Sequence, residues 1–320
     1  MRVSVIIPVY NAERFLEQAV ASVLRQPEVQ EIFLVDDGST DNSMQLSKRL
    51  AAHHPKTIKV LCHPDGKNHG PAATRNLGLA SACCEYIAFL DADDLYLENR
   101  FTETIKAFDA HASADGVYET VRMLKEDHHL SESITRRAGG EFARLDCPNP
   151  NHLFAMLARA KNGYIHLNGL TLRRESIDSS LYFDPTLIQC QDTDFMLRLS
   201  ARRRLYGAPM DRVVAYRRVH DTNRVFDVRE AMHYSRVCMR KCARNGFYGL
   251  KDMRAKWSIL NRMARASVLV VLVKRWNLPV TPFRLLIIAA FLIANPRVFN
   301  GLIRSQGSPS IRHRTHHDTP

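Results

Sequence analysis

The chain has 320 residues, 45% of them hydrophobic, enough to bury one large core with an appendage or two modest domains. Its net charge of +12 is unevenly placed: residues 1–197 carry 20 basic and 27 acidic side chains, residues 198–320 carry 25 and 6, so the back half suits an anionic partner such as phospholipid, nucleic acid or a polyanionic substrate. Seven cysteines, at 62, 83, 84, 147, 190, 238 and 242, form no Cys-x-x-Cys pair, which excludes a disulfide scaffold in favour of reduced, mostly buried thiols in a cytoplasmic protein.

In chain order, Met1 leads at once into residues 3–9, with no basic segment of the kind that opens a signal peptide. That continuous apolar run reads as a strand buried on both faces. Residues 12–25 carry apolar side chains at 15, 16, 19, 20, 23 and 24, which is helical spacing. A second strand is expected over 31–35, a helix from 39–41 to 53, a third strand over 57–62, a helix over 71–82 with Pro71 in its first turn, and a fourth strand over 86–90. This β-α-β-α-β-α-β order predicts a parallel sheet flanked by helices. Residues 125–152, including Arg136 to Gly140, read as a long surface loop or lid. Pattern returns in the apolar stretch 153–160, a strand over 169–173, a helix over 193–203 and a strand over 213–216. Helical stretches follow over 227–245, 250–275 and 283–294, then a polar, basic tail over 305–320.

The apolar runs 285–294 and 267–273 are too short for a transmembrane span of about 20 residues. With Trp276 and flanking Lys and Arg, they fit a helix lying on an anionic leaflet, or else a helical pair packed on the rest of the chain. Cys238 and Cys242, one helical turn apart near His233, read as core packing ahead of a metal site. The pairs His53-His54, His128-His129 and His316-His317 read as surface residues.

Four polar islands stand at the predicted strand ends: Pro8 to Asn11, Asp36 to Asp41, Gly70 to Asn76, and Asp91 to Asp94. The carboxyl edge of a parallel sheet is where ligands bind. Three carboxylates within Asp91-Ala92-Asp93-Asp94 are costly at a buried strand end unless a cation or donor network receives them. Mg²⁺ or Mn²⁺ shared with a phosphate-bearing substrate is one reading. An acid-rich turn in which Asp93 or Asp94 caps a helix over 97–110 is the other. Asp36-Asp37-Gly38-Ser39, taken alone, is equally a turn and helix cap.

Together and in this order, these motifs resemble the inverting glycosyltransferases of family 2, over residues 3 to about 220. The resemblance implies a GT-A, Rossmann-like α/β fold with a mostly parallel central sheet and a C-terminal helical extension. The domain would span 1–225, with a nucleotide-sugar half (1–95) and an acceptor half (96–225), before an extension over 226–304. It implies that Pro8, Tyr10, Asn11, Asp36 and Asp37 hold the nucleotide, Asp37 through the base, that Arg75 supports the diphosphate, and that Asp91 lies near the ribose. Asp93 would bind the divalent cation, Mn²⁺ or Mg²⁺, and His220 in the closing strand would approach that metal or the diphosphate. Asn168 and Gly169 would shape the acceptor pocket. Gln191-Asp192 stands where the family usually has Glu-Asp, which makes Asp192 the candidate general base. Asp194 competes with it, and on a helix the two cannot face the same way.

The implied reaction moves a sugar from a nucleotide-diphosphate donor, UDP-linked by preference, to a hydroxyl of a saccharide or lipid-linked acceptor. Cell-surface polysaccharide, lipopolysaccharide or glycolipid synthesis is the expected setting, with the enzyme cytoplasmic or peripheral on the inner membrane face. Two rivals are a sugar-phosphate nucleotidyltransferase, for which residues 1–30 lack the Gly-rich triphosphate loop, and a silent nucleotide-sugar sensor. A nucleic-acid-binding role is disfavoured, because aromatic residues are sparse in the basic half.

Overall fold

The computed structural model describes residues 1–125, 141–159, 163–220, 228–245, 253–265, 280–296 and 298. The Arg136 to Gly140 stretch, His128-His129, His316-His317, the 267–273 run, Trp276 and the 305–320 tail lie outside these residues. The chain opens with β1 (Val3–Val9), α1 (Leu16–Leu24), β2 (Val29–Asp36), α2 (Ser43–His53), β3 (Ile58–Cys62), α3 (Gly70–Ser81) and β4 (Tyr86–Phe89). β1 pairs in parallel with β2 and β4, and β2 with β3. Along β1, Val3, Val5, Ile7 and Val9 share a core with Leu16, Ala19, Val20 and Val23 of α1, whereas Ile6 turns to the opposite core with Leu79 of α3. Helices therefore cover both faces, which is why the strand reads as unbroken apolar sequence.

Next come β5 (Leu95–Tyr96), α4 (Thr102–Ala110), β6 (Gly116–Tyr118), β7 (Thr120–Lys125), β8 (Phe142–Ala143), α5 (Leu153–Arg159), β9 (Leu170–Arg173), α6 (Gln191–Arg202), β10 (Leu205–Gly207) and β11 (Val213–Val219). Two sheets result: seven strands in the order β10-β6-β9-β4-β1-β2-β3, and four in the order β5-β11-β7-β8. β9 runs antiparallel to β4 and β6. Strands β5, β6, β8 and β10 have two or three residues each, too few for a period to register in the sequence. β8 and a 3₁₀ turn at Pro150–His152 also bring structure into the stretch read as irregular. The expected cap of the 97–110 helix is corrected: α4 starts at Thr102 after Phe101, and Asp94 is engaged elsewhere.

Arg100 is fully buried and joins the two sheets. It pairs with Glu119, the residue between β6 and β7, while Nε donates to the Asn168 carbonyl (3.1 Å) and Nη2 to Thr171 Oγ1 (3.3 Å). Removing one partner strands a buried charge. Arg100→Leu is expected to cost about 3–5 kcal/mol in denaturant titration, and Arg100→Leu with Glu119→Leu distinctly less.

The chain ends in α7 (Val228–Arg244), α8 (Met253–Arg265) and α9 (Val280–Ala294). Cys238, Met239 and Cys242 of α7 and Ile259, Leu260 and Met263 of α8 form one core with Phe154 and Ala158 of α5 and Leu197 of α6. The cysteine pair is thus core packing, and burial pushes the Cys242 thiol up to about 12. Among the described residues no helix is long and apolar enough to cross a membrane.

Candidate functional site

The strand order reverses between β1 and β4, the kind of switch point outside whose carboxyl ends ligands bind in open α/β sheets. Pro8 is the penultimate residue of β1, Tyr10 is 41% exposed, and Asn11 adopts φ +49°. Asn11 Oδ1 accepts the Thr40 N–H (2.8 Å) and its own N–H donates to Ser39 Oγ (3.1 Å), which ties the loop after β1 to the loop after β2. Asp36 Oδ2 accepts the N–H groups of Gly38 and Ser39, both at 3.1 Å, while Oδ1 is buried with no partner among the described residues. Gly38 has φ +70°, and a Cβ there would stand 2.8 Å from the Lys67 backbone, so only glycine fits. Asp37 is buried and accepts the His69 N–H at Oδ1 (2.8 Å) and the Gly70 N–H at Oδ2 (3.0 Å), at the start of α3.

The antiparallel register of β4 with β9, Ala88 opposite Thr171, carries on to set Asn168 beside Asp91. The Asp91 N–H donates to Asn168 Oδ1 (3.2 Å), and Asn168 Nδ2 donates to Asp94 Oδ2 (2.6 Å). Asp94 Oδ1 accepts the Arg218 N–H from β11 (2.7 Å). Burial, with the charges of Asp93 and Asp91, pushes Asp94 well above the usual carboxylate range. His220, just past β11, sets Nε2 3.0 Å from Asp93 Oδ2, its ring 4.8 Å from that of Phe15. Gly169 is pressed so closely on the Glu119 carbonyl that a Cβ would stand 2.4 Å from it. Asn168 and Gly169 thus brace the acid edge from within.

Arg75 of α3 connects this edge to α6. Its side chain is 5% exposed, with Nη2 donating to Asp91 Oδ1 (2.6 Å) and Nη1 to Asp192 Oδ1 (3.4 Å). Burial opposes ionisation of Asp91, yet the charges of Arg75, which also donates to it, and of Arg217 hold it below the ordinary carboxylate range. At Asp192 the desolvating wall of the cavity outweighs Arg75 and pushes the carboxyl up, although part of the side chain stays open to solvent. Asp192 faces a cavity with 45% of its side chain exposed, whereas Asp194 is 1% exposed and bound to Arg198 Nε (2.7 Å) and Lys241 Nζ (3.1 Å). The two acids therefore point to different surroundings, as helical geometry requires. Gln191 is buried at the start of α6, and with its amide turned so that nitrogen meets acceptors it donates to the carbonyls of Ile188 (2.9 Å) and Leu187 (3.1 Å).

The cavity beside Asp192 encloses about 490 Å³ and is lined also by Tyr164, His166, Arg217 and, from α8, Arg262. None of these four stood out in the sequence. His166 lies two residues before Asn168 and accepts its N–H at Nδ1 (3.3 Å); burial and Arg217 push the imidazole down to about 3, so it is neutral.

Two donor sets suit a divalent cation: Asp93 with His220, and Asp91, Asp94 and His166, whose ligand atoms lie within 4.8 Å of one another. In the second set both Asp94 oxygens already accept N–H groups. Burial raises Asp94 first and the charges of Asp93 and Asp91 add to it; that repulsion among three acids is what a hard dication relieves, so the residues fit such an ion.

Residues 4–166 match the family model "Glycosyl transferase family 2". The minor teichoic acid biosynthesis protein GgaA of Bacillus subtilis is 27% identical over 230 residues, 70% of this chain and 49% of that protein. An uncharacterized glycosyltransferase of Nostoc sp. is 31% identical over 193 residues, 58% of this chain and 55% of that protein. The chain thus spans about half the length of these relatives. Among solved structures, S. aureus TarS 1-349 in complex with UDP-GlcNAc superposes with a TM-score of 0.65 at 19% identity, over 96% of this chain and 87% of that one. The mannosyltransferase PcManGT from Pyrobaculum calidifontis, in complex with GDP-Man and Mn²⁺, gives 0.52 at 17% identity, over 95% and 86%. At these identities the likeness is one of fold. The family match extends over half of the sequence, and the chain belongs to glycosyl transferase family 2, with a GT-A fold.

Proposed function

We propose that the chain transfers a glycosyl unit from a nucleotide-diphosphate sugar, UDP-linked by preference, to an acceptor hydroxyl with inversion at the anomeric carbon. The observation that carries this reading is Arg75, one guanidinium in contact with Asp91 at the nucleotide edge and Asp192 at the cavity. Asp36, Asp37 and the loop of Pro8, Tyr10 and Asn11 border the nucleotide. Asp93 with His220 would hold Mn²⁺ or Mg²⁺, whose charge offsets that growing on the diphosphate leaving group. Asp192 takes the acceptor proton as the hydroxyl attacks, and one displacement needs no covalent intermediate. Complexes of TarS with UDP-GlcNAc and of PcManGT with GDP-Man and Mn²⁺ support a nucleotide-sugar donor. With a panel of nucleotide sugars, free nucleoside diphosphate should be released in the presence of Mn²⁺ or Mg²⁺ and fall sharply with chelator. Binding without release from any donor would favour a silent sensor.

The acceptor belongs to cell-surface polysaccharide, lipopolysaccharide or glycolipid synthesis, met at the anionic inner face of the cytoplasmic membrane. GgaA, by its name a teichoic acid biosynthesis protein, supports the first part. For the second, α9 buries Ile288 and Phe291 but exposes Leu285, Leu286 and Ile293 by 55%, 62% and 79%. Near its end, Arg244 Nε donates to Asn295 Oδ1 (3.2 Å), and Arg244 and Arg236 flank Arg240, which burial and their charges hold below the usual range. The wild-type chain should sediment with phosphatidylglycerol vesicles and be released by salt. Failure to bind them at low salt removes the membrane part alone.

A further inference from the structure

We propose that Arg262 of α8, facing the Asp192 cavity, binds an anionic oxygen group carried by the acceptor, a phosphate ester or a carboxylate. This rests on the transferase reading, because the acceptor must enter that cavity. The C-terminal helices thereby contribute a substrate contact and are more than an appendage.

The charges around the cavity do not balance at Arg262. Asp192 is met by Arg75, and Arg217 feels Tyr164, Asp94 and Asp91. Arg262 has no carboxylate partner among the described residues. Its hydrogen bonds are two long ones from Nη1, to the carbonyls of Leu157 and Ala158, both at 3.5 Å. Its other neighbours in the electrostatic sense are the thiols of Cys238, Cys190 and Cys242, and burial holds the guanidinium below its usual range. A cation so placed is costly unless a ligand completes it.

A plainer role exists: Arg262 caps the last carbonyls of α5. That engages one nitrogen at the limit of hydrogen-bond distance and leaves the rest of a planar five-donor fork beside the cavity. Such a fork matches two oxygens of a phosphate or carboxylate. Ile165, Ile188, Met196 and Leu197 supply apolar walls, and about 490 Å³ accommodates a sugar or polyol unit together with its charged linkage. The sequence kept Arg262 out of view, because it is one of many arginines in a strongly basic half.

Titration calorimetry on the full chain tests the assignment, with sn-glycerol 3-phosphate and glucuronate as anionic probes and glycerol and glucose as neutral ones. At least one anion should bind, and the neutral probes about tenfold or more weaker. Arg262→Gln should weaken the anion about tenfold or more while UDP affinity stays unchanged. Arg262→Lys, which keeps the charge and a long stem, should retain part of the binding. The proposal is overturned if neither anion binds the wild type, or if the wild type binds charged and neutral probes equally. It is also overturned if Arg262→Gln lowers the melting temperature but leaves anion affinity intact (the helix-cap role), or if UDP affinity falls in parallel. Should Arg262→Gln not fold, Arg262→Met, which keeps an unbranched stem against the apolar wall, takes its place with the same outcomes. Binding is read without turnover, so the two readings fail separately. Anion binding lost with Arg262 but no nucleotide release from any donor keeps an anion site at Arg262 and removes both the transferase reading and the assignment of that anion to an acceptor.

Discussion

Asp192→Asn is expected to lower turnover by about 10²–10⁴-fold, the range for a lost general base, with donor affinity nearly unchanged. The amide keeps the shape of the side chain but cannot take a proton. Its link to Arg75 is a long 3.4 Å contact, and Arg75 keeps its 2.6 Å bond to Asp91, so the donor edge survives. The base works only when ionised, and burial raises its pKa. Activity in the wild type should therefore fall as pH drops through a value above the ordinary carboxylate range, and the residual activity of the variant should lack that limb. Steady-state rates across pH, with donor titration at one pH, decide it. Near-normal turnover in Asp192→Asn removes the base assignment.

Asp93→Ala should have the other large effect, a loss of several kcal/mol of charge stabilisation, or roughly a thousandfold in rate. It differs from Asp192→Asn in its donor binding, which should weaken and lose its dependence on Mn²⁺. Asp93 is 30% exposed at the end of the acid edge, bonded to His220, whereas buried Asp94 is held by Asn168 and the Arg218 backbone. Removing Asp93 should thus leave the melting temperature nearly unchanged. Titrations of donor with and without Mn²⁺ check both halves; full Mn²⁺ dependence in the variant would move the ion to another donor set.

The first ninety residues were legible because each strand and helix is long enough to show its own period and polar islands punctuate the ends. Strands of two or three residues such as β5, β8 and β10 carry no period, and their place is set by pairing with distant strands. The acid edge was legible as a cluster, but not its internal division of labour. Asp94 became a buried acceptor because β9 and β11 bring Asn168 and the Arg218 N–H to it, contacts spanning 74 and 124 residues. The choice between Asp192 and Asp194 depended on Lys241 and Arg198, which hold Asp194 away from the cavity. His166 and Arg262 were illegible for a different reason. A single His or Arg has no local signature, and only the folded chain shows that each lines the same cavity.

A crystal structure with UDP and Mn²⁺ bears most directly on the central claim, that one edge of the large sheet grips the donor while Asp192 waits across Arg75. The nucleotide is predicted to lie against the loops of Asn11 and Asp37, with its diphosphate and the ion at Asp91 and Asp93 and its open end toward Asp192. A nucleotide bound away from these carboxylates, with Asp192 outside the cleft that holds it, would contradict the account.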